Sequence, residues 1–136
     1  MKYNFWNSYS KIVKTKISEQ LELGHNKFVI YPFGDIGVLT KYILNNVFNI
    51  NEEYIIDNSQ ANNQNIFSLQ DAKWERDIYI LICSENSKYY HQIRESILQF
   101  VPAENVIDLF EDKYERIEEK KVYETLARLE EFIIHE

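Results

Sequence analysis

The 136 residues are 45% hydrophobic, with ten Tyr and eight Phe, which is enough apolar material for one packed domain and excludes global disorder. Fifteen Lys and Arg stand against 22 Asp and Glu, a formal net charge of −7 without a basic patch, so a nucleic-acid backbone is not the expected partner. Cys83 is the only cysteine, which rules out an internal disulfide and fits a reducing, cytoplasmic setting.

The start, Met1-Lys2-Tyr3-Asn4, has no signal-peptide apolar core. The longest apolar run, Ile78 to Cys83, is too short to cross a bilayer, so no membrane association is expected.

Phe5, Tyr9, Ile12, Val13, Ile17 and Leu21 recur at helical spacing, which predicts an amphipathic helix with Asn4 as N-cap and Gly24 as its stop. Phe28 to Tyr31 reads as a first strand, apolar on both faces in the manner of a buried parallel strand. Ile36, Leu39, Ile43, Leu44 and Val47 mark a crossover helix over 36–47. A second strand follows at Glu53 to Asp57 and ends on an acid.

The polar run Asn58 to Asn65 has no periodicity and reads as a loop where a second crossover helix would normally lie. Ile66 to Leu69 predicts a short edge strand, and Asp71 to Arg76 no more than one helical turn. The strongest strand is Ile78 to Cys83, followed by a helix over 87–100 that Pro102 ends. Asn105 to Leu109 supplies a last strand.

The apolar positions Tyr114, Ile117, Val122, Leu126, Leu129 and Ile133 predict an amphipathic C-terminal helix, with Asp108 and Glu111 at capping-box spacing. One domain therefore spans 1–136: an N-terminal helix (1–24), an α/β core (27–110) and a C-terminal helix (111–136). Alternating strands and helices predict a mostly parallel sheet of about five strands in the order 3-2-1-4-5. The crevice of such a sheet lies at the carboxyl ends of strands one and four.

Two of the three glycines, Gly34 and Gly37, sit between the first strand and the first crossover helix. The run Pro32-Phe33-Gly34-Asp35-Ile36-Gly37 fits Gly-x-Gly-x-x-Gly with Pro32 in the first glycine's place. That strand–turn–helix pattern is the phosphate-binding corner of a Rossmann-like unit, where helix N-terminal amides face an anion. Pro32 fixes φ and lacks an N–H, while Asp35 adds a negative charge near the phosphate position. The bland alternative is that both glycines serve only close packing of helix on strand.

Asp57 follows Gly37 by 20 residues and ends the second strand, where an acid receives ribose hydroxyls and disfavours a 2′-phosphate. Its plain alternative is a solvent-facing acid at a strand end. Asn58 follows it; Cys83 ends the fourth strand, and Ser84, Glu85 and Asn86 follow it and should face the same crevice. Ser84, Glu85 and Asn86 read as caps of the next helix ahead of ligand contacts, Cys83 as a buried small hydrophobe, and His91 as an exposed helical histidine, with an acid or base near the crevice as its alternative. No spacing resembles a metal site, and no nucleophile–base pair is legible.

Over residues 27–110 the chain resembles a small Rossmann-like domain of bacterial sugar-modifying proteins. The likeness rests on Phe28-Val29-Ile30-Tyr31 with Gly34-x-x-Gly37, on Ile55-Ile56-Asp57-Asn58, on Asp77 to Ile82, and on Tyr89-Tyr90-x-x-Ile93. It is similar to the N-terminal domain of sugar O- and N-acyltransferases that decorate surface glycans, and to the C-terminal domain of some sugar C-methyltransferases. The resemblance implies nucleotide-sugar binding in polysaccharide biosynthesis, with catalysis in a left-handed β-helix that these 136 residues do not supply. That family opens on Gly-x-Gly-x-x-Gly, from which Pro32 departs.

The expected function is a free-standing module that binds NAD or a nucleotide-sugar without metal, through residues 32–37, 57–58 and 83–84. Two other classes stay open: a degenerate scaffold for protein–protein contact, including a homodimer through the terminal helices, and a small NAD-dependent oxidoreductase or methyltransferase.

Overall fold

The computed structural model describes residues 2–110. The first helix, α1 (Lys2–Glu22), starts before Asn4, so Asn4 lies inside the helix rather than capping it. Its end is as expected: Gly24 takes φ +87, and the amides of Gly24 and His25 reach back to the carbonyls of Leu21 and Gln20. Glycine enters that left-handed region without steric cost and so closes the helix. Val13 and Ile17 are wholly buried, with Tyr9 and Leu21 packed beside them on the same stripe.

Then come β1 (Lys27–Tyr31), α2 (Asp35–Asn46), β2 (Tyr54–Ile56) and β3 (Ile66–Phe67), followed by β4 (Ile78–Ile82), α3 (Ser87–Leu98) and β5 (Val106–Asp108). The sheet is all parallel in the order β3-β2-β1-β4-β5, as the alternation of elements predicts. The ends differ by a residue or two. The expected turn of helix after the edge strand falls at Leu69–Asp71, and a second 3-10 turn, Ala103–Asn105, leads into β5. The C-terminal helix, its capping box and the dimer seam expected there lie outside the described residues.

Neighbouring residues of β1 face opposite sides of the sheet. Ile30 lies under Gly37 of α2. Tyr31 stands in a row with Ile82 and Asp108, and Asp108 accepts from Arg94 Nε of α3 at 3.3 Å. Hence α2, with α1 packed beside it, covers one face, and α3 the other.

Phe28, Ile30, Leu44, Ile80, Leu81 and Ile82 are buried to 1% or less, which explains why β1 and β4 are apolar on both sides. Tyr54 crosses the α3-side layer to donate its hydroxyl to the carbonyl of Lys73, and burial pushes its pKa up to about 12. Near the start of β2, Glu52 is buried and pairs with Lys41 and Asn45 of α2. Burial alone would raise its pKa; the bonds from Lys41 and Asn45 outweigh that and hold it below the ordinary carboxyl value.

Candidate functional site

The sheet reverses its winding between β1 and β4, so its crevice opens where the turn after β1 meets the loops after β2 and β4. β1 ends at Tyr31, the Tyr31–Pro32 peptide is cis, and α2 starts at Asp35 with Gly34 as N-cap.

The two glycines of this turn are there for different reasons. A Cβ on Gly37 would lie 2.5 Å from the Pro32 carbonyl oxygen and 3.2 Å from the Phe33 ring, so the first turn of α2 seats on the turn backbone only because that atom is missing. Gly34 has φ −90 and ψ −156, extended backbone open to any residue, and a Cβ there would meet nothing within 4 Å. Nothing among the described residues requires glycine at 34. Beyond it, the amides of Gly34, Asp35, Ile36 and Gly37 open the helix, and among the described residues no side chain accepts from them. Asp35 is exposed at the first turn of α2.

Asp57 directly follows β2, is 8% exposed, and has both of its carboxylate oxygens engaged. Oδ2 accepts from the Phe33 amide at 2.9 Å and lies 3.4 Å from Gln60 Nε2. Oδ1 accepts from the Ser59 amide at 2.9 Å, the Ser59 hydroxyl at 2.6 Å and the Gln60 amide at 3.1 Å. Burial by itself raises the pKa of this acid. The bonds from Ser59, Phe33 and Gln60 outweigh it, so the carboxyl sits below its usual value and stays ionised. A ribose hydroxyl at Asp57 would have to displace one of these donors.

Gln60 was not among the residues singled out from the sequence. Its Nε2 donates to the Phe33 carbonyl at 2.7 Å, so the loop after β2 holds the Phe33 peptide by its N–H and its C=O together. The local signal was an acid followed at i+2 and i+3 by amides it can accept from, an Asx-turn spacing. The contact with Phe33, 27 residues away, had no local sign.

The remaining expected site residues are divided. Pro32 and Phe33 are half-buried in the turn, and Asn58 accepts from the Leu69 amide at 2.9 Å, a bond that shapes its own loop. Cys83 points toward α2, 3% exposed, with Sγ 3.5 Å from Thr40 Oγ1; burial pushes its pKa up to about 12. Its side chain belongs to the core, as the buried-hydrophobe reading has it. Ser84 is buried at the end of β4, and Asn86 is the residue that caps α3, accepting from the Lys88 amide at 2.9 Å. The crevice thus brings together residues 32–37 and 57–60; the Cys83 thiol faces away from it.

Among the described residues no group of three or more His, Cys, Asp or Glu is placed to hold a metal ion, and no helix is long and apolar enough to cross a membrane. An open apolar groove of about 300 Å³ lies elsewhere, between α1 and α2, lined by Asn7, Ser10, Val38, Leu39 and Tyr42. Comparison of the chain with protein-family models, curated proteins and solved structures gives no match.

Proposed function

We propose that the chain binds a small phosphate-bearing ligand, a nucleotide or nucleotide-sugar, at the turn between β1 and α2. The observation that carries this reading is Gly34, which is exposed and whose missing side chain opens toward none of the described residues. A group arriving from outside is what would need that space, and it would meet the amide donors and the partial positive charge of the α2 N-terminus. The position of the turn at the point where the sheet reverses supports the same reading.

Gly34→Leu separates ligand approach from folding, because the new side chain has no internal atom to strike. Calorimetry of the wild type with NAD and UDP-sugars is expected to show binding, weakened at least tenfold in Gly34→Leu, about 1.4 kcal/mol, with the fold kept and the melting temperature lowered only by the modest cost of leucine at an N-cap. Absence of heat with every ligand in the wild type would refute the proposal.

A second reading, a scaffold for protein contact, draws on the groove between α1 and α2, where Val38 is 46% and Tyr42 62% exposed. Under it, Tyr42→Lys alters sedimentation of the assembly and Gly34→Leu alters nothing.

A further inference from the structure

We infer that Asp57 and Gln60 form a latch that fills the turn with the protein's own anion and must be released when a phosphate enters. The inference rests on the ligand site proposed above and names how that site is controlled.

The Phe33 amide immediately precedes the amides of Gly34 to Gly37, which no side chain among the described residues engages, so it is the first donor an anion lying on the turn would meet. It is already taken, by a carboxylate oxygen at 2.9 Å. A carboxylate on a main-chain amide is the same charge-assisted contact that a phosphate oxygen makes.

The two oxygens of Asp57 are held unequally. Oδ1 takes three donors from residues two and three positions onward, so it keeps its place whatever the turn does. Oδ2 reaches across 24 residues to Phe33, and its other neighbour is Gln60 Nε2 at 3.4 Å. That Nε2 now donates to the Phe33 carbonyl at 2.7 Å. When an anion takes the Phe33 amide, the Phe33 peptide gives up both of its bonds to this loop, its N–H from Oδ2 and its C=O from Gln60 Nε2.

Two hydrogen-bond arrangements of the same groups result, one closed on Asp57 and one open to a ligand. A phosphate favours the second because it bonds the amide only there and repels the carboxylate in the first. Removing the Gln60 amide weakens the closed arrangement, since its hold on the Phe33 carbonyl is lost.

The test titrates inorganic pyrophosphate into the full chain and into Gln60→Ala, following affinity by calorimetry and the amides of Phe33, Gly34, Gly37, Ser59 and Gln60 by NMR. Wild-type Ser59 and Gln60 amides are expected to shift with the same midpoint as Gly34 and Gly37, and Gln60→Ala to bind at least threefold tighter. Gln60→Met, which keeps the side-chain length, is expected to do the same should the alanine variant fail to fold. Shifts confined to Gly34 and Gly37, or equal or weaker binding by the variants, would overturn the latch and leave the ligand site standing. No binding by any of the chains would overturn both.

Discussion

Gly37 and the Pro32 carbonyl oxygen meet so closely that a Cβ on the glycine would stand 2.5 Å from that oxygen. Both partners are backbone, and neither can rotate away as a long side chain would. The seat of α2 on β1 is therefore set by this one missing atom, and with it the direction in which the helix presents its first amides.

Gly37→Ala should destabilise the protein by about 1–3 kcal/mol, the usual cost of forcing extra volume into a packed contact. Urea denaturation is the measurement: the midpoint should fall while the slope stays the same. An unchanged midpoint would mean that the turn relaxes without cost and that Gly37 does not fix the helix.

Asn105 ties the entry of β5 to the start of β4. It is 4% exposed and donates through Nδ2 to the carbonyls of Arg76 at 2.9 Å and Ile78 at 3.1 Å. Asn105→Ala should cost about 0.5–1.5 kcal/mol, the net worth of a lost hydrogen bond, because Arg76 is exposed and the Ile78 carbonyl keeps Trp74 Nε1 at 3.1 Å. Asn105→Asp should cost at least as much, since its oxygen cannot donate to them. Chemical denaturation of both variants measures this, and equal stability of all three chains would contradict it.

The layered parallel sheet and its order were legible because β1 and β4 are apolar on both faces and a helix pattern separates the strands. The glycine corner was legible too, since two of three glycines fall between a strand and a helix. What could not be read were long-range bonds. Asp57 lies just past β2, close to where it was expected, yet whether its Oδ2 is free depends on Phe33, 24 residues earlier. Asn105 carries no local sign of the carbonyls it serves at residues 76 and 78. Periodicity reports which face is buried; it is silent on which polar atoms meet across the sheet.

Cys83 gives a direct readout of opening in the core. Its thiol is buried against Thr40 and the Leu81 carbonyl, and burial pushes its pKa up to about 12, so almost no thiolate exists at pH 8 in the folded chain. A thiol reagent added at pH 8 should leave the native protein unmodified and react stoichiometrically in urea, where the pKa returns to about 8.5. Rapid labelling of the folded protein would show that the region between α2 and β4 is open.

Asp57 sets an acid limit to stability, and the sign follows from its shift. Its folded pKa lies below the unfolded value of about 3.9. The unfolded state therefore takes up the proton first, and the contribution of this group is fully present above that value. It falls away as the pH drops through the folded pKa, because protonation then removes an acceptor from the amides of Phe33, Ser59 and Gln60. The stability gap between the wild type and Asp57→Asn should thus be constant from pH 7 to about 5 and shrink below about 4. Urea midpoints for both chains across that range measure the gap. A gap that stays constant down to pH 3 would mean that the charge on Asp57 does not stabilise the fold.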